Sequence, residues 1–279
     1  MINHLNKLTP LLLLILSLPA AAEVPPAASL PCFPGAYYRK AVSSVDLWTG
    51  IEGVITLPTP QFDPARKRPK TPAQYLDNPS IYIGGRAGET EIDAGVTWEV
   101  VQLPDGTTSP DRRAYRPFWR NKGWHAAMAH PDYYFYPGDT IRLRIESTAA
   151  NKLTLTIELI NRGSAAIHAL KPYGPATRPA EPLVVPFDAP NFSPGSPQQF
   201  KRVNAIDQVG REGKEVDPTG TTVTGAAWHK VTLLRGDQQL PMLPERFTDM
   251  RCPAAEHFHI TPEDNGGEHI DISGLAQQH

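Results

Sequence analysis

Two neighbouring stretches decide the fold class: Ile141-Arg142-Leu143-Arg144-Ile145-Glu146 and Leu153-Thr154-Leu155-Thr156-Ile157-Glu158-Leu159. Both alternate strictly between apolar and polar residues, the period of a strand with one packed and one solvated face. Between them, Ser147 to Lys152 is a polar connection of hairpin length, and Pro137-Gly138-Asp139 ahead of them is a turn signal. The pattern predicts an antiparallel pair.

Working outward, Ser80-Ile81-Tyr82-Ile83 and Ile92 to Val101 read as strands flanking the turn-forming run Gly84-Gly85-Arg86-Ala87-Gly88. In the second of these, Ala94, Val96, Trp98 and Val100 share one face, and Asp93, Gly95, Thr97 and Glu99 the other. Further strands are predicted at Phe200-Lys201-Arg202-Val203 and within Thr221 to Leu234. Helical periodicity is weak, with its best candidate a short stretch near Gly123 to Ala129. The chain holds 30 prolines in 279 residues, a share that disfavours long helices and favours strands joined by irregular loops. These signals predict an all-β, two-sheet antiparallel sandwich with long Pro-rich loops.

The first residues read as a signal peptide over 1–22. Lys7 precedes the apolar run Leu11 to Leu16 with Leu18, and Pro19-Ala20-Ala21-Ala22 supplies small residues for cleavage after Ala22. The run is too short to span a bilayer, although an uncleaved anchor is the alternative. A secreted or periplasmic protein with no membrane span after signal cleavage is expected. Residues 23–75 read as an N-terminal extension packed on the domain, 76–235 as the sandwich with a Pro-rich insertion over 171–199, and 236–279 as a C-terminal segment. Balanced charge, 27 Lys and Arg against 29 Asp and Glu, leaves no electrostatic footprint for nucleic acid. Cys32 and Cys252 are the two cysteines, and in an exported chain they are expected to form a disulfide, two free thiols being the alternative.

A family resemblance is carried by four pieces in order. Asp93-Ala94-Gly95-Val96-Thr97-Trp98 is similar to the strand motif of the glutamic peptidases, or eqolisins: Gln, a small residue, Gly, Val, a polar residue and an aromatic. Tyr115, Phe118, Trp119, Trp124 and Tyr133 to Tyr136 resemble the family's Tyr/Trp-rich segment. Pro137-Gly138-Asp139-Thr140-Ile141 resembles its Gly-Asp entry into a central hairpin, and Ala226-Ala227-Trp228 the segment where a Glu precedes a Trp. The resemblance implies a secreted sandwich of the jelly-roll or concanavalin-like kind. It also implies that the family's catalytic Gln and Glu positions read Asp93 and Ala227, so that eqolisin-type proteolysis is not expected.

Strand spacing gives the candidate site. If the resemblance holds, these strands line one concave sheet, which implies that Asp93, Glu99 and His229 fall in one groove beside Arg142 and Arg144, a set able to do acid/base work. The alternative is a solvated ladder pairing Asp93 and Glu99 with Arg142 and Arg144. Trp119, Trp124 and Tyr133 stand among charged residues and are candidates for a stacking surface, with Thr97, Arg142 and Arg144 as further ligand contacts; sealing one end of the sandwich is their other reading. Trp98 and Trp228 read as core. His257 and His259, with Glu256, Glu268, His269 and Asp271, make only a fragment of a zinc site, and no metal or other cofactor is expected. No Walker, HExxH or GxSxG motif is present. Two functions stay open: a non-catalytic protein binding a polysaccharide or an extended peptide in an eqolisin-like groove, or a secreted hydrolase with chemistry rebuilt around Asp93, Glu99 and His229.

Overall fold

The computed structural model describes residues 23–275 apart from 103–107, 122, 127–130, 170 and 172–180, and leaves undescribed the side chains of 71–73, 99–102, 108–112 and 131. The signal peptide over 1–22 and most of the Pro-rich stretch therefore lie outside the described residues. In chain order the strands are β1 (Ala36–Ser43), β2 (Gly50–Thr56), β3 (Thr59–Gln61), β4 (Lys67–Arg68), β5 (Thr71–Tyr75), β6 (Asp77–Ala87), β7 (Thr90–Gln102), β8 (Thr108–Arg120) and β9 (Trp124–Ala126). They continue as β10 (Thr140–Ala149), β11 (Lys152–Asn161), β12 (Leu183–Asp188), β13 (Gln199–Gln208), β14 (Thr222–Arg235), β15 (Gln238–Pro241), β16 (Phe247–Cys252), β17 (Phe258–Pro262) and β18 (Glu268–Ser273).

Two antiparallel sheets face each other. One runs β16-β1-β13-β6-β7-β8-β9, the other β12-β11-β10-β2-β14-β18-β17 with β3 and β15 added along β14. The deciding hairpin is there: Arg144 of β10 stands opposite Thr156 of β11. Ile141, Leu143, Ile145, Leu153, Leu155 and Ile157 are buried against Ile81, Ile83, Ala94 and Val96 of the other sheet. Period-2 burial of this kind removes apolar area from water on one face of each strand and leaves the opposite face free for other work.

The core also holds charge. Arg39 of β1 and Arg202 of β13 both bind Glu268 of β18, the first at 3.0 Å, so a fully enclosed ion cluster joins the two sheets. Burial works against ionisation of Glu268, but the two guanidiniums outweigh it and hold its carboxyl below the usual range. Trp228 donates from Nε1 to Asn204 Oδ1 at 2.7 Å, a second polar link across the sandwich.

Two expectations about organisation are corrected. Residues 23–75 are not an extension laid on the domain, because β1 lies between β16 and β13 and β2 between β10 and β14. The 236–279 segment likewise supplies β16, β17 and β18 to the two sheets. The disulfide is present: Cys32 and Cys252 are bonded, with Cα atoms 5.7 Å apart. Among the described residues no helix is long and apolar enough to cross a membrane.

Candidate functional site

The outer face of the seven-stranded sheet carries a cleft of about 790 Å³, within the usual range for a ligand site. Its floor is built by the outward residues of consecutive strands: Tyr38 and Lys40 on β1, Lys201 and Asp207 on β13, Ser80 and Tyr82 on β6, Asp93 and Thr97 on β7, and Phe118 on β8. Their neighbours in sequence, among them Tyr37, Ile81, Ile83, Ala94, Val96, Phe200 and Ile206, are core. The same alternation that makes the sandwich thus makes the floor.

At its centre, Gly84 of β6 stands opposite both Asp93 of β7 and Lys201 of β13 in the ladder. A Cβ on Gly84 would lie 2.3 Å from the Ile92 carbonyl oxygen and 2.8 Å from Lys201 Cε. Its absence lets the two side chains meet over the strand, Lys201 Nζ reaching Asp93 Oδ1 at 2.8 Å and also binding Glu91. Lys201 is buried, which opposes its charge, but Asp93 and Glu91 overcome that and raise its pKa. Glu91 is held below the usual carboxylate range, burial being outweighed by Lys201. Gly95 does a similar service one rung on, where a Cβ would fall 2.5 Å from Tyr82 Cα, so that Tyr82 and Phe118 approach edge to face at 5.9 Å.

A second acidic group stands apart from this pair. Asp207, partly buried in the floor, accepts a hydrogen bond from Ser80 Oγ, and burial pushes its carboxyl from 3.8 up to about 6. The hydroxyl of Tyr82 is pushed well above its ordinary value by burial and then by Asp93. Lys40 is pulled down by burial and by Lys201. One cleft floor therefore holds a carboxylate in an ion pair with Lys201 and a carboxyl that burial pushes up to about 6.

The sequence-predicted residues divide. Asp93, Thr97 and Trp124 line this cleft, with Thr97 accepting from Asn78 Nδ2 at 2.7 Å. Glu99 lies on β7, and its side chain is outside the described residues. His229 is on β14 of the other sheet, exposed and bonded to Thr56 Oγ1 at 2.8 Å. Arg142 and Arg144 are on β10 of that sheet, bound to Glu158, Glu52 and Glu146 on its outer face. The single groove expected for Asp93, His229, Arg142 and Arg144 is thus corrected: the two sheets put these groups on opposite outer faces. The charge ladder exists, but its acids are Glu52, Glu146 and Glu158.

The aromatic segment divides as well. Trp119 pairs with the core residue Ala94 in the ladder and packs against the core, stacked at 5.7 Å on His125, which corrects its expected exposure. Trp124 is 56% exposed and stacks on Phe118 at 4.6 Å with planes 10° apart. Tyr133 lies in a short turn, Pro131–Tyr133, outside the cleft lining. Trp98 is half-buried between core and surface, edge to face with Tyr115 at 5.1 Å. Ala227, the expected counterpart of Asp93, is on β14 with Ala226 and Trp228, so the group opposite Asp93 is Lys201. Among the described residues no cluster of His, Cys, Asp or Glu is arranged to hold a metal ion.

With the geometry in place, comparison with known proteins adds four findings. The sequence profile of the Peptidase A4 family matches residues 34–237. A crystal structure of scytalido-glutamic peptidase with a peptide-based transition state analogue superposes with a TM-score of 0.50 at 10% identity, covering 85% of this chain and 98% of that one. A second, with a transition state analogue inhibitor, gives 0.51 at 9% identity over the same shares. No curated protein sequence matches the chain.

Proposed function

Because the chain belongs to the Peptidase A4 family, we propose that it holds an extended polypeptide in the cleft on its seven-stranded sheet, and that it binds this chain without cutting it. One observation carries the proposal: the 2.8 Å ion pair between Asp93 and Lys201, joined by Glu91, at the centre of the floor. Hydrolysis needs an acceptor free to take a proton from water at that place. A carboxylate held by a buried ammonium is a poor acceptor, and the ammonium itself has no lone pair to offer. Extended polypeptide suits a cleft whose floor combines hydrogen-bonding groups with aromatic rings. Export to an oxidising compartment is part of this reading, supported by the Cys32–Cys252 disulfide.

The test is a pair of assays on the mature chain between about pH 3 and pH 8, the range over which carboxyl and imidazole groups titrate. Fluorescence anisotropy with a labelled unfolded polypeptide should show saturable binding, while mass spectrometry of the recovered polypeptide should show no new ends. Binding to oligosaccharides in place of polypeptide overturns the choice of ligand.

A second reading, a hydrolase, has one observation in its favour: Asp207, with its carboxyl near 6 beside Ser80 and in the field of Asp93, has the pKa of a working acid or base. His229 takes no part in it, being on the other sheet. Cleavage that disappears in Asp207→Asn and survives His229→Ala would establish this reading in place of the first.

A further inference from the structure

Beside the main cleft is a smaller pocket of about 230 Å³, and the two share Asn78, Thr97 and Trp124 in their walls. It is below the size of a whole-ligand site and has room for one side chain. Four rings stand in its walls beside polar groups such as Gln74, Asn78 and Thr97: Phe62 and Tyr75 stack at 4.4 Å with planes 15° apart, Phe62 lies 5.7 Å from Trp98, and Trp124 closes the side toward the cleft. Each ring is held by another, since Trp98 rests on Tyr115 and Trp124 on Phe118. An incoming group meets fixed surfaces.

The charges around the pocket narrow the class of that group. Asp77 contributes to the lining but is buried and satisfied by Arg66 at 3.0 Å, Thr219 at 2.6 Å and Thr221 at 2.8 Å. Arg68 is the cation of the pocket, bonded through Nη1 to Gln74 Oε1 at 2.9 Å, and it opposes entry of a lysine or arginine. What fits a box of stacked rings with a guanidinium at hand is a flat apolar group, because aromatic pairs gain from offset and edge-to-face contacts beyond the area they bury.

We infer that this pocket is a specificity site which takes one aromatic side chain of the polypeptide lying in the cleft. The inference rests on the polypeptide-binding reading above, and names what that ligand must carry. Continuity through Thr97, Asn78 and Trp124 places the ring beyond the Asp93–Lys201 pair, on the side of the β4–β5 hairpin.

Isothermal titration of the full mature chain with short Ala/Ser/Thr peptides, differing only in one central residue, tests it. A peptide with Phe should bind about ten- to a hundredfold more tightly than the same peptide with Ala, and Lys should bind no better than Ala. Ala126→Phe then fills the pocket from the exposed edge strand β9, away from the core. It should abolish the Phe preference while leaving the Ala peptide's affinity within about twofold of its original value. Equal affinity for Phe, Leu and Ala peptides overturns the specificity site and leaves the polypeptide reading intact. Retention of the Phe preference in Ala126→Phe does the same. Failure of every peptide to bind overturns both.

Discussion

Lys201 and Asp93 lie two strands apart, joined at 2.8 Å over a residue with no side chain. Replacing the cation by a neutral isostere in Lys201→Met leaves Asp93 and Glu91 facing each other without the ammonium that bridges them, with Lys40 the nearby cation on both. The expected cost at pH 7 is about 1–3 kcal/mol, at the low end because Glu91 is more than half exposed. Urea unfolding measures it. Glu91 has its folded pKa depressed, so its contribution is present above the unfolded value of 4.5 and is lost as pH falls through the folded one. The wild type should therefore weaken on acidification through that window, and Lys201→Met should weaken less.

Asp207 gives the opposite sign. Its folded pKa, about 6, is raised above the ordinary 3.8, so the native state binds the proton more tightly than the unfolded chain. The stability this confers is complete below the unfolded value and is lost as pH rises through the folded one. Between 3.8 and about 6, Asp207→Asn should remove a falling component from the stability profile, making the variant's curve flatter there and leaving it relatively better off near pH 7. Denaturation midpoints at a series of pH values, wild type against variant, show whether the two curves converge on acidification as this requires.

The sandwich was legible because β10 and β11 alternate without exception, and such strands can bury only one face. The cleft was half legible. Period 2 correctly put Asp93 and Thr97 on the polar face of their strand, but it says nothing about which of two sheets a distant strand joins, and His229, Arg142 and Arg144 went to the wrong side for that reason. Lys201 was hidden by its own neighbour: Lys201 and Arg202 are both buried, one under the cleft and one between the sheets, so Phe200-Lys201-Arg202-Val203 shows no clean alternation. β1 was missed on similar grounds, since Arg39 is buried against Glu268 and the strand reads as mixed. Trp119 looked exposed beside Arg116 and Arg120, yet in the register of β8 it falls on the core side. Gly84 was read as a turn signal, whereas it is a strand interior cleared for two side chains to meet.

Gly84→Ala tests that clearance. The added Cβ meets backbone at 2.3 Å, so the strand or its neighbour must shift, an overpacking expected to cost about 1–3 kcal/mol. Its larger effect should be on the cleft: a calorimetric melt gives the first, and loss of peptide affinity out of proportion to the fall in Tm gives the second.

The disulfide joins residues 220 apart and anchors the segment that forms one end of the cleft, where Phe33 donates from its backbone N–H to Tyr38 Oη at 2.8 Å. Closing so long a loop is worth about 5 kcal/mol on the chain-entropy account, with about 2–5 kcal/mol typical when a native bridge is removed. Cys32→Ser with Cys252→Ser should lower stability by that amount in guanidinium titrations. Peptide affinity in the folded double variant should fall less than in Trp124→Ala, because Phe33 bounds the cleft and does not build the aromatic pocket.

Trp124 and Trp98 separate binding from folding. Trp124 is exposed on the edge strand β9, resting on Phe118, and it lines both the cleft and the aromatic pocket. Removing its ring in Trp124→Ala takes away contact area on the ligand side and little on the core side. Peptide binding is expected to weaken by about 1–3 kcal/mol with the melt nearly unchanged. Trp98 also faces the pocket, but it packs on the core through Tyr115 and Phe62, so Trp98→Ala should cost about 3 kcal/mol of stability, the lower part of the range for a buried aromatic because the ring is half-exposed. Melts and titrations on the two variants side by side decide the matter. Equal destabilisation would put Trp124 in the core and take it out of the site, whereas a stable Trp124→Ala that binds the Phe peptide as well as wild type would leave the pocket without its inner wall.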